Sequence, residues 1–183
     1  MVVRLAETVP VPDPFAEATA QFQELMGYLR SRETMKKTHS ELERELQERG
    51  RELMRQLYQA HLDTRGEGEA VGTVEDAAGD ERTRKRVHDR DLATVFGTVT
   101  VSRLGYGAEG KESLHPLDAE LNLPPERYSH ELRRQVAEEA AKNSFEETVQ
   151  SVRRHTGVTC QVISTLRLTK SCGKEPGLVC RRA

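Results

Sequence analysis

The hydrophobic period of this chain changes twice, and those changes limit the folds open to it more than any other feature. Over residues 15–66 the apolar positions recur at helical spacing. Phe15, Ala18, Phe22, Leu25, Met26 and Leu29 predict a first amphipathic helix from Phe15 to about Arg32. Leu42, Leu46, Leu53, Leu57 and His61 mark one face of a second. Ser40 and Glu43 have the spacing of a capping box, in which side chain and backbone satisfy each other's donors. Gly50 weakens the middle of this helix by about 1 kcal/mol, and Gly66 and Gly68 end it. So narrow a stripe, flanked by Glu41, Glu45, Glu48, Arg49, Arg51, Glu52 and Arg55, fits a helical hairpin or a coiled-coil-like seam.

Across 67–112 the period becomes alternating. Val71 and Val74 flank Gly72, Leu92, Thr94 and Phe96 follow, then Val99 and Val101. This predicts a small antiparallel sheet of two to four short strands in short β hairpins, with Arg82–Arg90 lying between them. Helical spacing returns over 113–158, after a polar connector holding Pro124-Pro125. Ser129 caps a helix with Leu132, Val136, Ala137, Ala140 and Ala141 turned inward, and Asn143 is placed to stop it in the left-handed conformation. Ser144 and Glu147 form a second capping box, Phe145, Val149 and Val152 line the inner face, and Gly157 closes the helix. Two short helices on a tight turn begin a helix-turn-helix. Its third helix is due after Gly157-Val158-Thr159, but residues 159–183 have no sustained period, so the unit is incomplete. Residues 1–14, with Pro10, Pro12 and Pro14, read as a flexible arm. The fold expected is mainly α with a small antiparallel β insertion.

With four Tyr, four Phe and no Trp in 183 residues, only a modest core is available. No apolar run approaches the ~20 residues of a spanning helix, so no membrane partner is expected. Arg4, Glu7 and the prolines interrupt the place of a signal's apolar stretch, so the expected compartment is the cytoplasm. All three cysteines (Cys160, Cys172, Cys180) fall in the last 24 residues without a CxxC, and they read as free thiols rather than as a disulfide or zinc framework. Of 28 Lys+Arg and 30 Asp+Glu, residues 157–183 hold five cations and one acid, so the near-neutral total averages an acidic body and a basic tail.

No nucleophile elbow, phosphate loop, dinucleotide fingerprint or HExxH is present. The six histidines have no i, i+4 pair, so neither a metal centre nor a cofactor is expected. His115, before Pro116, reads as a turn residue. The Glu138-Glu139 and Glu146-Glu147 pairs read as solvated helix faces. The strongest chemical signal is the basic cluster Arg82, Arg84, Lys85, Arg86 and Arg90. It suits phosphate contact, in which neutralised phosphates release counterions. It equally suits a hairpin edge on which cations block strand addition. Arg133, Arg134, Arg153 and Arg154 lie on the paired helices, where such residues would position a duplex rather than read it.

Several segments together resemble one family. They are Arg90–Tyr106 (RDLATVFGTVTVSRLGY), Leu114–Asp118 (LHPLD), Leu121–Ser129 (LNLPPERYS) and the helix pair through Phe145 to Gly157. Their order is similar to the N-terminal region of bacterial insertion-sequence transposases of the ISKra type. The likeness covers roughly residues 15–158. It implies binding to DNA, the transposon ends, and a downstream RNase-H-like domain of the DDE type whose carboxylates hold two metal ions. Related transposases carry a cysteine pair after the region of Tyr106. Tyr106-Gly107-Ala108-Glu109-Gly110 has none, so zinc is not implied. The likeness stops near Val158, and the family's catalytic residues map onto no position here. The expectation is a truncated or frameshifted transposase, not itself an enzyme and inactive in transposition, with an aberrant tail over 159–183. The alternative is a non-catalytic helical interaction protein that forms a homo-oligomer along the 41–64 stripe.

Overall fold

The computed structural model describes residues 13–157, apart from the side chain of Phe145. In these residues α1 (Ala16–Leu29), a 3-10 turn (Thr34–Lys36) and α2 (His39–Arg65) are followed by β1 (Arg84–Thr94), β2 (Gly97–Ala108) and β3 (Lys111–Leu114), then α3 (Pro116–Glu120), α4 (His130–Lys142) and α5 (Phe145–Thr156). The chain is mainly α with one small antiparallel sheet, ordered β1-β2-β3. None of these helices is long and apolar enough to cross a membrane. The expected arm falls outside the described residues except for Asp13 and Pro14. Asp13 closes the start of α1, accepting from the Phe15 N–H at 3.0 Å.

The first two helices form the expected hairpin. At its turn, the buried Thr34 donates to Tyr28 O at 2.6 Å and its N–H donates to Ser31 Oγ at 3.2 Å. The capping box of α2 sits two residues before the expected pair. Thr38 is the cap, its N–H donating to Glu41 Oε2 at 2.9 Å while the Glu41 N–H donates back at 3.4 Å. Ser40 and Glu43 lie inside the helix. At the hairpin end Tyr28 donates to Glu45, Lys37 pairs with the same carboxylate, and the Arg49 guanidinium lies 4.1 Å from the Tyr28 ring centroid. At the other end the buried Ala18 and Ala60 line one crevice, where small side chains let the helices approach.

The α2 stripe departs from its expected course. His61 is exposed, and the buried positions of the second half are Leu53, Ala60 and Leu62. The cause is a second partner: α1 still lies against α2 at Ala60, while Leu62, two residues on and on the opposite side, packs against Val99 and Val101 of β2. A helix serving two partners does not keep a single straight seam.

The β region also differs from expectation. The basic cluster does not lie between strands; its residues from Arg84 onward are themselves β1, paired with β2 in an unbroken register from Arg84↔Gly107 to Thr94↔Gly97. The hairpin is therefore long rather than short. Val71 is fully exposed, and Val74 lies in the connection, beside the isolated bridge Glu75↔Glu81. The hairpin turns at Val95-Phe96. Thr94 Oγ1 accepts from the Phe96 N–H at 3.2 Å and donates to Gly97 O at 2.7 Å, and Gly97 takes φ +130°, which residues with a Cβ avoid.

One hairpin face buries Leu92, Val99 and Val101 against Leu62 of α2 and Leu117 of α3, with Tyr58, Leu121 and Leu123 around them. Helix α3 was not expected in the connector; Pro116 at its first turn suits the fixed φ of proline. The second cluster joins Ala93 to Leu132, Val136 and Val152 of α4 and α5. Ser129 caps α4 as expected. Ala137 and Ala141, expected inward, are exposed, because only the Leu132–Val136 side meets the sheet. Asn143 is extended (φ −124°, ψ 162°) rather than left-handed, since the chain must open out for Ser144 to cap α5. The Ser144–Glu147 capping box and the left-handed Gly157 follow expectation. The expected position of the Phe145 side chain, the third helix and the tail lie outside the described residues.

Replacing the fully buried Leu132 by Ala should lower unfolding stability in urea by about 2–5 kcal/mol. Ala141→Ser, on the exposed side of the same helix, should change it by less than about 0.5 kcal/mol.

Candidate nucleic-acid interface

The pleat of β1 divides the basic cluster. Arg84, Arg86, His88 and Arg90 share the face of Leu92, while Lys85, Val87, Asp89 and Asp91 share the other. Two of the five expected cations serve the fold. Arg82, just before the strand, is 7% exposed, and its Nη2 donates to Asp76 Oδ2 at 2.7 Å. Asp76 also accepts from the backbone N–H groups of Ala78 (2.9 Å) and Asp80 (3.0 Å) and from Lys111. The Asp80 N–H, the Lys111 ammonium and the remaining donors hold its carboxyl well below the usual carboxylate range. This knot closes the loop between α2 and β1. The Arg90 side chain is also largely covered. It donates to Pro124 O at 2.5 Å and to Glu126 O, and lies 3.9 Å from Asp118. It pins the connector to the hairpin.

The other three face solvent. Arg84 is 3.5 Å from Glu109. Lys85 donates to Glu69 at 2.6 Å beside the Tyr106 ring, and the Glu69 carboxylate raises its pKa. Arg86 is exposed and, among the described residues, has no ion-pair partner.

On the helices, Arg133 pairs with Glu126 at 2.9 Å, and Arg134 is flanked by Glu131 and Glu138. Exposed pairs of this kind contribute little to stability and can exchange partners. Arg153 and Arg154 are exposed in the last turn of α5, where cations also complement the helix dipole. Arg153 has no ion-pair partner among the described residues, and Arg154 Nε donates to Gln150 O at 3.3 Å. Arg51, expected only as part of the charged surface of α2, donates from Nη2 to Arg154 O at 2.8 Å and so brings α2 to this patch. The structure thus gathers the candidate cations into two groups, one near the start of β1 and one on α4 and α5 beside the hairpin turn. The groove of about 540 Å³ behind the second group is walled by Met54, Phe96 and Val152 but also by Glu138 and Glu139, which makes it a poor anion site.

A further cluster was not visible in the sequence. His88 Nδ1 and His115 Nε2 meet at 2.9 Å, 27 residues apart in the chain. A methyl group at Gly105 would stand 2.9 Å and 3.0 Å from those two nitrogens, so the bare glycine makes room for the rings. A glycine in the strand interior, here Gly105 with Gly107 two residues on, was the available signal of a close approach. Asp118 pairs with Arg103 at the edge of this cluster. His115 is therefore more than a turn residue. Burial pushes its pKa down and the Arg103 charge adds to this, with Asp118 opposing.

No family model, curated protein or solved structure matches this chain, and the resemblance to transposases rests on the quoted segments alone.

Because the folded pKa of His115 lies below its ordinary value of about 6.5, the unfolded chain binds more protons between the two values. Stability should therefore be full above about pH 6.5 and fall as the pH drops below it. Urea unfolding between pH 7.5 and 5 should show this loss, and His115→Gln should reduce it.

Proposed function

We propose that this chain binds duplex DNA without catalysing a reaction, as the N-terminal DNA-binding region of a DDE-type insertion-sequence transposase. The observation that carries the reading is the pair of exposed arginines, Arg86 and Arg153, which hold no ion pair among the described residues. Of the nine candidate cations, Arg82, Arg84, Lys85, Arg90, Arg133 and Arg134 have acidic neighbours and Arg154 donates to Gln150 O, which leaves these two open to phosphate. Arg30, Arg32, Lys36, Arg44, Arg127 and Lys142 are likewise open elsewhere in the described residues. Arg84, Lys85 and Arg154 extend the two groups, and Arg133 and Arg134 can exchange surface partners for a backbone. Arg86 stands eight residues along β1 from Thr94, or ~26 Å at a strand's rise per residue. It lies on the face opposite the one Ala93 turns to α4 and α5, so the two groups are separate patches for phosphate. Two short capped helices with cations at the end of the second also fit the positioning role of a helix-turn-helix.

Anisotropy of a labelled duplex titrated at several salt concentrations tests this. Binding should weaken steeply with salt, and Arg86→Ala and Arg153→Ala should each flatten the log–log slope by about 0.9. Arg82→Ala should lower thermal stability and leave the slope unchanged. Absence of binding at about 50 mM salt would sink the reading.

A further inference from the structure

We infer that the open edge of β1 is a dimerisation surface, at which two copies of this chain pair their β1 strands antiparallel about Val87. In the β1–β2 ladder the odd-numbered residues of β1 direct N–H and C=O away from β2. Ala93 shows this directly: its N–H donates to Arg127 O at 2.8 Å and its carbonyl accepts from the Ser129 N–H at 2.9 Å. The same outward groups of Lys85, Val87, Asp89 and Asp91 have no backbone partner among the described residues. All four residues are exposed, Val87 by 44%.

The opposite edge of the hairpin is treated differently. The Gln59 side-chain amide takes the place of a strand against Thr100, accepting from its N–H at 2.8 Å and donating to its carbonyl at 2.9 Å. The Leu104 N–H donates to Glu67 O at 2.8 Å, and β3 pairs with Tyr106 and Ala108. One edge is covered at Thr100, Leu104, Tyr106 and Ala108, with Ser102 the gap, and the other is left bare over Arg84–Asp91.

A bare edge is ordinarily guarded by proline, by a bulge, by a covering element or by charged side chains, and charge guards against a second copy only where it meets like charge. The stretch Arg84–Asp91 has no proline and no break in register. Its outer face carries charges of both signs: Lys85 at one end, Asp89 and Asp91 at the other. Self-pairing in ladder register places an odd residue on the two-fold axis. Centred on Lys85 or Asp89, the pairing sets like charges opposite each other. Centred on Val87 it sets Val87 against Val87 of the second copy, with Lys85 opposite Asp89 on both sides. Cross-strand pairs of opposite charge stabilise a sheet, and like charges oppose it. On the other face Arg86 meets His88, and Arg84 meets Arg90, whose guanidinium is turned away toward Pro124 O and Glu126 O. About six backbone hydrogen bonds form across such a junction. Each copy offers one such edge, so the assembly closes at two.

The test uses the full chain with Cys160, Cys172 and Cys180 changed to Ser. Sedimentation equilibrium at about 100 μM should give twice the monomer mass in the absence of DNA. Adding Val87→Cys should yield a disulfide-linked dimer in oxidised glutathione, since facing Cα atoms ~5.5 Å apart suit a disulfide. Thr98→Cys, exposed on the other strand, should cross-link at least tenfold more slowly. Lys85→Asp should give a monomer, and Lys85→Asp with Asp89→Lys should restore the dimer, with circular dichroism confirming that both are folded. A monomer at 100 μM overturns the proposal. So does a dimer that Val87→Cys does not trap, or one indifferent to Lys85→Asp, because the contact then lies elsewhere.

Discussion

Leu62, near the end of α2, meets Leu92, Val99, Val101 and Leu117 in one buried cluster, and the rest of the fold depends on this contact. A two-stranded hairpin is at best marginally stable in water. It persists here because one face is covered by α2 before the strands and by α3 after them. Each buried aliphatic side chain contributes about 1.5–3 kcal/mol, and few others are available. The same contact places the second half of α2 between two neighbours, α1 at Ala60 and the sheet at Leu62. It also fixes where the hairpin turn lies, so that Ala93 and Val95 are presented to α4 and α5.

Along this face the packing passes from apolar to charged. Beyond Val101 the places of core residues are taken by Arg90, Arg103, His88, His115 and Asp118. A chain with eight aromatic residues in 183 fills the space with rings and guanidinium groups that need partners. Most have them: Arg90 finds backbone carbonyls, Arg103 finds Asp118, and the histidines find each other. The remaining buried polar atoms, Arg103 Nε and Asp118 Oδ1 among them, are costs the fold carries. At the far end Tyr106 is buried and accepts from the Ala70 N–H at 2.9 Å, tying the connection to the outer face.

The fold class was legible because period and caps are local. Ser129, Ser144, Glu147 and Gly157 each act within a few residues of the helix ends they define. What the sequence hid depends on neighbours distant in the chain. His61 has the spacing of a seam residue, but α1 meets this part of α2 at Ala60 and the sheet meets it at Leu62, which leaves His61 between them in solvent. Thr38 and Ser40 are equally good caps by residue type, and the turn held by Thr34 decides between them. The run of cations concealed a strand because strand alternation is usually read from apolar residues, and here both faces of β1 are charged over Arg84–Asp91. In the candidate interface the residue types were readable but their availability was not. Arg82 and Arg90 are inseparable in sequence from Arg84 and Arg86, and only Asp76 and the connector carbonyls assign them inward.

The fastening of the last two helices is slight. Two backbone bonds at Ala93 and a cluster around Leu132, Val136 and Val152 carry nearly all of it, while Arg51 adds one bond to the Arg154 carbonyl. None of these groups belongs to the Leu62 cluster. The helix pair is therefore a separate unit of opening, able to leave the hairpin at a free-energy cost below that of global unfolding. Its departure would bare the outward groups of Ala93 and lengthen the open edge of β1 by one more rung.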